Sequence, residues 1–171
     1  MTSQVTTDVV AALEESRGYL LQALAGLSDE QARRRPPAGG WSALECIEHI
    51  ALSEARLVGF ARSAGSGEPP AASKAKEAQL VAAVTDRTTK RAAPDPVQPA
   101  GRFATVDDAV AYLSAGRSAT EAFATETGDA LYAIAVTHPA MGLLNGVELL
   151  MLIAGHTRRH ADQIREIRAF I

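Results

Sequence analysis

A chain of 171 residues with 17 basic and 20 acidic side chains, a net charge of -3 and 5% aromatics has no basic stripe or aromatic-plus-basic cluster with which to meet nucleic acid. One cysteine, Cys46, excludes an internal disulfide, and the alanine-rich, 47% hydrophobic composition favours helices packed on small side chains over a sheet. No basic segment leads an apolar one at the start, and the longest apolar run, "MGLLNGVELLMLIAG", is broken by Asn145 and Glu148 and is too short to span a bilayer; a cytoplasmic protein with no nucleic-acid and no membrane partner is the default expectation.

In residues 7–27, Val9, Val10, Leu13, Leu20, Leu21, Leu24 and Leu27 keep largely to the three-four spacing of one helix face, predicting a first long amphipathic helix. "LSDEQ" restarts a short helix, with Ser28 and Gln31 at capping-box spacing, and Pro36 and Pro37 end it before the turn "AGG". Ser42 and Glu45 repeat the capping box behind Trp41 and open a second long helix to about residue 64. Residues 65–104 differ: "GSGEPP" and "PDPVQPAG" are loop chemistry, with a modest helix over roughly 73–88 between them. So long a connection points to a surface crossover that borders the mouth of a site or a second subunit. Thr105 and Asp108 open a third long helix, to about 126, with Ala109, Leu113, Thr120 and Phe123 on one side. "THPAMG" reads as a loop, and the last helix runs from about 143 to near the C-terminus; no strand-like alternation of any length is found. These elements predict a single all-α domain over residues 1–171, a four-helix bundle with a long crossover between the second and third long helices.

Within "GHTRRHADQI" on the last helix, His156 and His160 point within ~40° of each other and sit ~6 Å apart along the axis. Leu149, Leu152, Ile153, Ile164, Ile167 and Ile171 share that stripe, so the two imidazoles lie on the core-facing side, opposite Arg158 and Arg165. Two buried imidazoles one turn apart need partners. Buried carboxylates or waters would serve, and so would a shared divalent metal, for which histidines at i and i+4 are well placed. A third ligand must come from another element, and His49, in the second long helix among Cys46, Leu52 and Phe60, is the candidate. Bundle cores are where such sites are built.

Trp41-Ser42 followed by Glu45 and His49, and then "HPAMGLLNGVELLMLIAGHTRRHADQI", resembles the DinB-like superfamily of bacterial metal-binding four-helix bundles. The resemblance covers most of the chain, the segment "DRTTKRAAPDPVQPAGRF" matching the family's crossover. It implies an up-down-down-up bundle, a homodimer, and a nickel, zinc or similar divalent ion on His49, His156 and His160. It also implies a small-molecule substrate, since characterised relatives include bacillithiol- or mycothiol-dependent transferases and isomerases, while others are described as hydrolases. Nearby residues are read more simply. Gln163, one turn beyond His160, either orients a ligand or a bound water or is an ordinary helix polar residue; Arg159, flanking the stripe, either holds an anionic substrate group or, on the preferred reading, is a solvated cation near a helix C-terminus. Glu148 is too far from His156 to share an ion, Glu45 is explained by its cap, Cys46 reads as a small apolar filler, and His138 as part of the loop's shape.

Three imidazoles leave at least one coordination position open, and a bundle of this size does not need an ion to fold. Water bound there would be acidified, and a thiol would lose its proton outright. The expectation is a metal-dependent enzyme, a low-molecular-weight-thiol (bacillithiol- or mycothiol-type) S-transferase acting on an electrophile, the thiol cosubstrate resting on the resemblance alone. The alternative is a metal-dependent hydrolase of amide or ester bonds, which a carboxylate beside the ion would favour and the sequence does not offer. A third reading is a non-enzymatic metal- or ligand-binding bundle. Three histidines leave the metal's identity open.

Overall fold

A computed structural model describes residues 3–63, 67–89 and 92–170. In chain order it forms α1 (Gln4–Leu24), α2 (Asp29–Arg33), α3 (Ala43–Arg62), α4 (Lys74–Thr85), α5 (Val106–Thr127), a hairpin of β1 (Ala135–His138) and β2 (Gly142–Asn145), and α6 (Gly146–Arg168). Every α-helix opens on a hydroxyl or amide side chain that accepts from a backbone N–H in its first turn. The capping boxes Ser28/Gln31 and Ser42/Glu45 form as their spacing predicts, and a third, Asn145/Glu148, opens α6. Each such cap is worth about 1 kcal/mol.

The bundle consists of α1, α3, α5 and α6. Arg158 pairs with Glu15, Asp162 accepts from the Tyr19 hydroxyl and Arg168 donates to the Ala23 carbonyl, so α1 and α6 run parallel. Glu54 meets Arg117 and Arg62 lies over Phe123, so α3 and α5 are parallel as well. The Val106 amide donates to Asp29 just past α1, whereas Arg117 reaches back to Leu13 and Ser16, which sets α5 antiparallel to α1. The helices therefore run up, down, down, up. The long connection between α3 and α5 is what allows two consecutive long helices to point the same way. Within it α4 packs as a fifth helix against α6, at so close a range that a side chain on Gly155 would collide with Val84.

The core divides into two parts. One contains Val9, Leu13, Leu57, Phe123, Leu149 and Ile153, and the other Leu20, Ile47, Ile50, Leu113 and Ile164. Between them lies Arg117, only 1% exposed. Its Nε and Nη2 donate to the two carboxylate oxygens of Glu54 at 2.9 and 2.8 Å, its Nη1 to the Leu13 carbonyl and the Ser16 hydroxyl, and its Nη2 also to the Thr157 hydroxyl. All five guanidinium N–H donors are thus used, and one residue touches all four bundle helices.

Three expectations need correction. Residues 135–145 form an antiparallel hairpin, pairing Ala135 with Asn145 and His138 with Gly142, where no strand was expected; "THPAMG" spans its turn and the adjoining strand residues. The last helix consequently begins at Gly146 and not near 143. Arg159 is not a solvated cation: it is buried, with Nη1 donating to the carbonyls of Val84 and Asp86 and Nη2 to that of Thr89, where it closes the C-terminal end of α4. The end of the second long helix at 64, part of the 65–104 crossover and Ile171 lie outside the described residues. Among the described residues no helix is long and apolar enough to cross a membrane.

The buried pair gives a direct stability test. Glu54→Ala strands a fully desolvated guanidinium and should cost about 3–5 kcal/mol in urea unfolding. The double replacement Glu54→Leu/Arg117→Met should recover a large part of that loss. A single-variant cost below about 1 kcal/mol would mean that the pair does not hold the bundle.

Candidate functional site

The site starts from two helix registers. The Ser42/Glu45 cap fixes where α3 begins, and burial on α3 then turns His49 inward at 5% exposure. On α6 the i, i+4 spacing stacks His156 and His160 on one face, as expected. The three rings converge edge to face, with centroids 4.5–5.0 Å apart. The Nε2 atoms of His49 and His156 are 3.2 Å apart, and those of His160 and His156 3.1 Å.

The outer ring nitrogens decide which tautomers are present. His49 Nδ1 donates to the Val97 carbonyl at 2.7 Å, and His160 Nδ1 donates to Gln163 Oε1 at 2.8 Å. A carbonyl can only accept, so in the neutral rings both protons sit on Nδ1, and both Nε2 lone pairs point into the cluster. His156 can bring at most one proton to Nε2, which satisfies one neighbour and leaves the other facing lone pair to lone pair. Protonation does not resolve this. Burial, reinforced by the neighbouring imidazoles, pushes His156 well below its ordinary value and His160 down to about 3, and burial also lowers His49. The donor set is therefore three neutral imidazoles in which at least two Nε2 lone pairs converge with one proton at most between them, a deficit that a cation would satisfy. Metal–nitrogen bonds of about 2.0–2.1 Å place neighbouring ligand nitrogens roughly 3 Å apart, which the observed spacing fits. Among the described residues these three are the group able to offer such ligands, all within 4.8 Å of one another.

The surroundings hold this arrangement. Trp41 lies against His49 and His160, at centroid distances of 4.6 and 5.9 Å. The residue before His49 secures the crossover: buried Glu48 accepts from the backbone N–H groups of Ala100, Gly101 and Arg102, each at 3.0 Å. Consecutive residues of α3 thus grip the crossover twice, Glu48 by three amides and His49 by the Val97 carbonyl. The Gln163 alternative is resolved in favour of an orienting partner for His160.

The cluster faces a cavity of about 820 Å³. Apolar groups supply much of its wall, including Leu57, Phe60, Met141 and Leu152, and the crossover borders it through Ala92, Ala93, Pro94 and Val97. Glu166 also lines it, but both its oxygens are engaged by Arg87. His138 reaches the wall from the hairpin turn; its Nδ1 accepts from the amides of Ala140 and Met141, the shaping role expected of it. Glu45 serves the cap and an ion pair with Arg35, and these bonds hold its carboxyl below the usual range despite partial burial. Glu148 caps α6 and pairs with Lys76, away from the cluster. Cys46 is fully buried, and burial pushes its thiol far up, as suits an apolar filler and not a ligand.

Sequence reasoning missed Glu48, Ser53, Arg56 and Arg87. Ser53 and Arg56 follow His49 by four and seven residues, the spacing of one helix face, and could have been found from that. Nothing local marks Glu48 or Arg87, whose partners are 52 or more residues distant in sequence.

The family model for the DinB superfamily matches residues 12–164. The uncharacterised protein YuaE of Bacillus subtilis (strain 168) is 25% identical over 154 residues, covering 90% of this chain and 93% of its own. Among solved structures, YfiT from Bacillus subtilis, described as a probable metal-dependent hydrolase with an unusual four-helix bundle topology, matches with a TM-score of 0.63. That match covers 99% of this chain and 89% of YfiT at 18% identity, a likeness of fold.

Removing the Glu48 carboxylate should loosen the crossover selectively. In Glu48→Ala the amides of Ala100, Gly101 and Arg102 lose their acceptor, at a cost of about 2–3 kcal/mol. Their hydrogen exchange should accelerate by one to two orders of magnitude while the amides of α1 keep their protection. Unchanged exchange at these three amides would show that the crossover is held by other means.

Proposed function

The chain belongs to the DinB superfamily, and from that premise we propose that it is a metal-dependent enzyme acting on a small molecule, with His49, His156 and His160 as the ligands of one divalent ion. The observation that carries the proposal is the convergence of the Nε2 atoms of three neutral imidazoles on the wall of a large cavity, two of them held as lone pairs by Val97 and Gln163. An ion held by His49, His156 and His160, nickel or zinc, would supply Lewis acidity that makes a bound thiol or water more acidic. The chain's own residues do the rest. Val97 and Gln163 fix the two outer tautomers, Trp41 covers the rings, and the apolar wall excludes competing water from the substrate.

The nucleophile we favour is a low-molecular-weight thiol of the bacillithiol or mycothiol type, whose sulfur would bond to an electrophilic carbon as that carbon's bond to a halide or an epoxide oxygen breaks, the thiol proton passing to solvent or to the opened oxygen. A thiol acidified in this way needs no separate base, and the carboxylate lining the cavity, Glu166, is occupied by Arg87. Hydrolysis of an amide or ester is the second reading, favoured by the fold shared with YfiT, itself described as a probable metal-dependent hydrolase. We further propose that the protein acts in the cytoplasm as a homodimer.

Elemental analysis of the protein should give one ion per chain, reduced at least tenfold in each of His49→Ala, His156→Ala and His160→Ala. A full equivalent of metal retained in all three would overturn the ligand assignment. In cobalt-loaded Cys46→Ser protein, which has no thiol of its own, an added thiol should produce an intense thiolate charge-transfer band that His156→Ala lacks. If thiols leave the spectrum unchanged while ester or amide analogues alter it, hydrolysis replaces thiol transfer.

A further inference from the structure

Beyond the histidines, Ser53 and Arg56 are polar groups on the cavity wall that the site described above does not use. Ser53 follows His49 by one turn of α3, lines the cavity and is 8% exposed. Its hydroxyl has no hydrogen-bond partner among the described residues, unlike the other buried serines, Ser16 and Ser42. Helical serines ordinarily bond back to a carbonyl three or four residues earlier, as Ser16 does. A nearly buried hydroxyl that forgoes this bond is available to something in the cavity.

Arg56 stands three residues further on, so it neighbours Ser53 on the helix surface. It too lines the cavity. Its guanidinium lies 4.9 Å over the Phe60 ring and has no carboxylate partner among the described residues. Stacking on Phe60 orients the planar fork without consuming its N–H donors. The other cations on the wall are committed, Arg87 to Glu166 and Arg159 to the carbonyls at the end of α4.

We infer that Ser53 and Arg56 form a carboxylate-recognition subsite, and that the molecule acted on carries a carboxylate joined by a short apolar segment to the group that reacts at the histidines. The helix sets the ruler: Ser53 and Arg56 lie roughly 6 and 10 Å beyond His49 along the α3 axis. A guanidinium fork and one hydroxyl match the two oxygens of a carboxylate. Leu152, one turn before His156 on the antiparallel α6, lines the same cavity and offers apolar surface to the intervening segment. The inference deepens the proposed function and rests on it for the identity of the reacting end, but the anion subsite can be tested separately.

The probes are 6-mercaptohexanoate and its neutral counterpart 6-mercaptohexanamide, titrated calorimetrically into cobalt-loaded protein carrying Cys46→Ser. The acid should bind at least tenfold more tightly than the amide. Arg56→Met should abolish that preference without changing the affinity for the amide, and Ser53→Ala should reduce it about threefold. Equal affinity for the two probes, a preference that survives Arg56→Met, or no binding of either probe would overturn the subsite. The thiolate band is read in the same titration. Acid preference without a band would retain the subsite and reject thiol transfer, whereas a band with no acid preference would do the reverse.

Discussion

The bundle is organised around one buried ion pair. Arg117 spends all five donors on α1, α3 and α6, and Glu54 neutralises it from α3. A charge so deeply buried is tolerated only when every donor is met, so a shift in the rotation or height of any one helix would leave part of it unmet. Packing of alanine and leucine alone would accept several registers; this pair accepts one. The consequence for the site is immediate. Glu54 is five residues after His49 on α3, and Thr157 is the residue after His156 on α6. The contacts that lock the bundle thereby set the histidines against one another.

The histidine cluster has its own strain to relieve. Val97 and Gln163 hold protons on the outer nitrogens of His49 and His160, leaving more lone pairs than protons where the three rings meet. Here the crossover matters most. A long connection would ordinarily be free to vary, yet Glu48 and His49 tie it to α3 at four backbone groups. The device that lets α3 and α5 run parallel is thus also the partner that fixes one tautomer of the cluster. On the other side Arg159 closes α4 onto α6, with Gly155 permitting the close approach. Fold and site share their fastenings.

Much of this was legible in the sequence, because the informative patterns are local. The long helices follow from three-four periodicity and capping boxes, with boundaries shifted by a few residues, and the inward placement of His49, His156 and His160 follows from the same periodicity. Arg117 could have been found too, since it falls between Leu113 and Thr120 on the buried stripe of α5, where a charge demands a partner. The hairpin was missed because its strands are four residues each, too short for alternation to register, and because Leu143, Leu144 and Asn145 read as the start of the helix that follows. Arg159 was misread because the carbonyls it binds belong to the end of α4 and the residues just after it, and no spacing within α6 announces them. What depends on contacts between distant segments, the crossover grip above all, is not written in any short stretch.

The central claim is that three neutral imidazoles present converging Nε2 lone pairs to one divalent ion. Nitrogen NMR of protein labelled in its four histidines measures this directly, with His138 as an internal reference of the opposite tautomer. In metal-free protein His49 and His160 should carry their protons on Nδ1, and stoichiometric zinc should shift the Nε2 resonances of His49, His156 and His160 together while His138 stays in place. Protons found on Nε2 of His49 and His160 in the presence of zinc, or zinc that moves none of the three, would contradict the account.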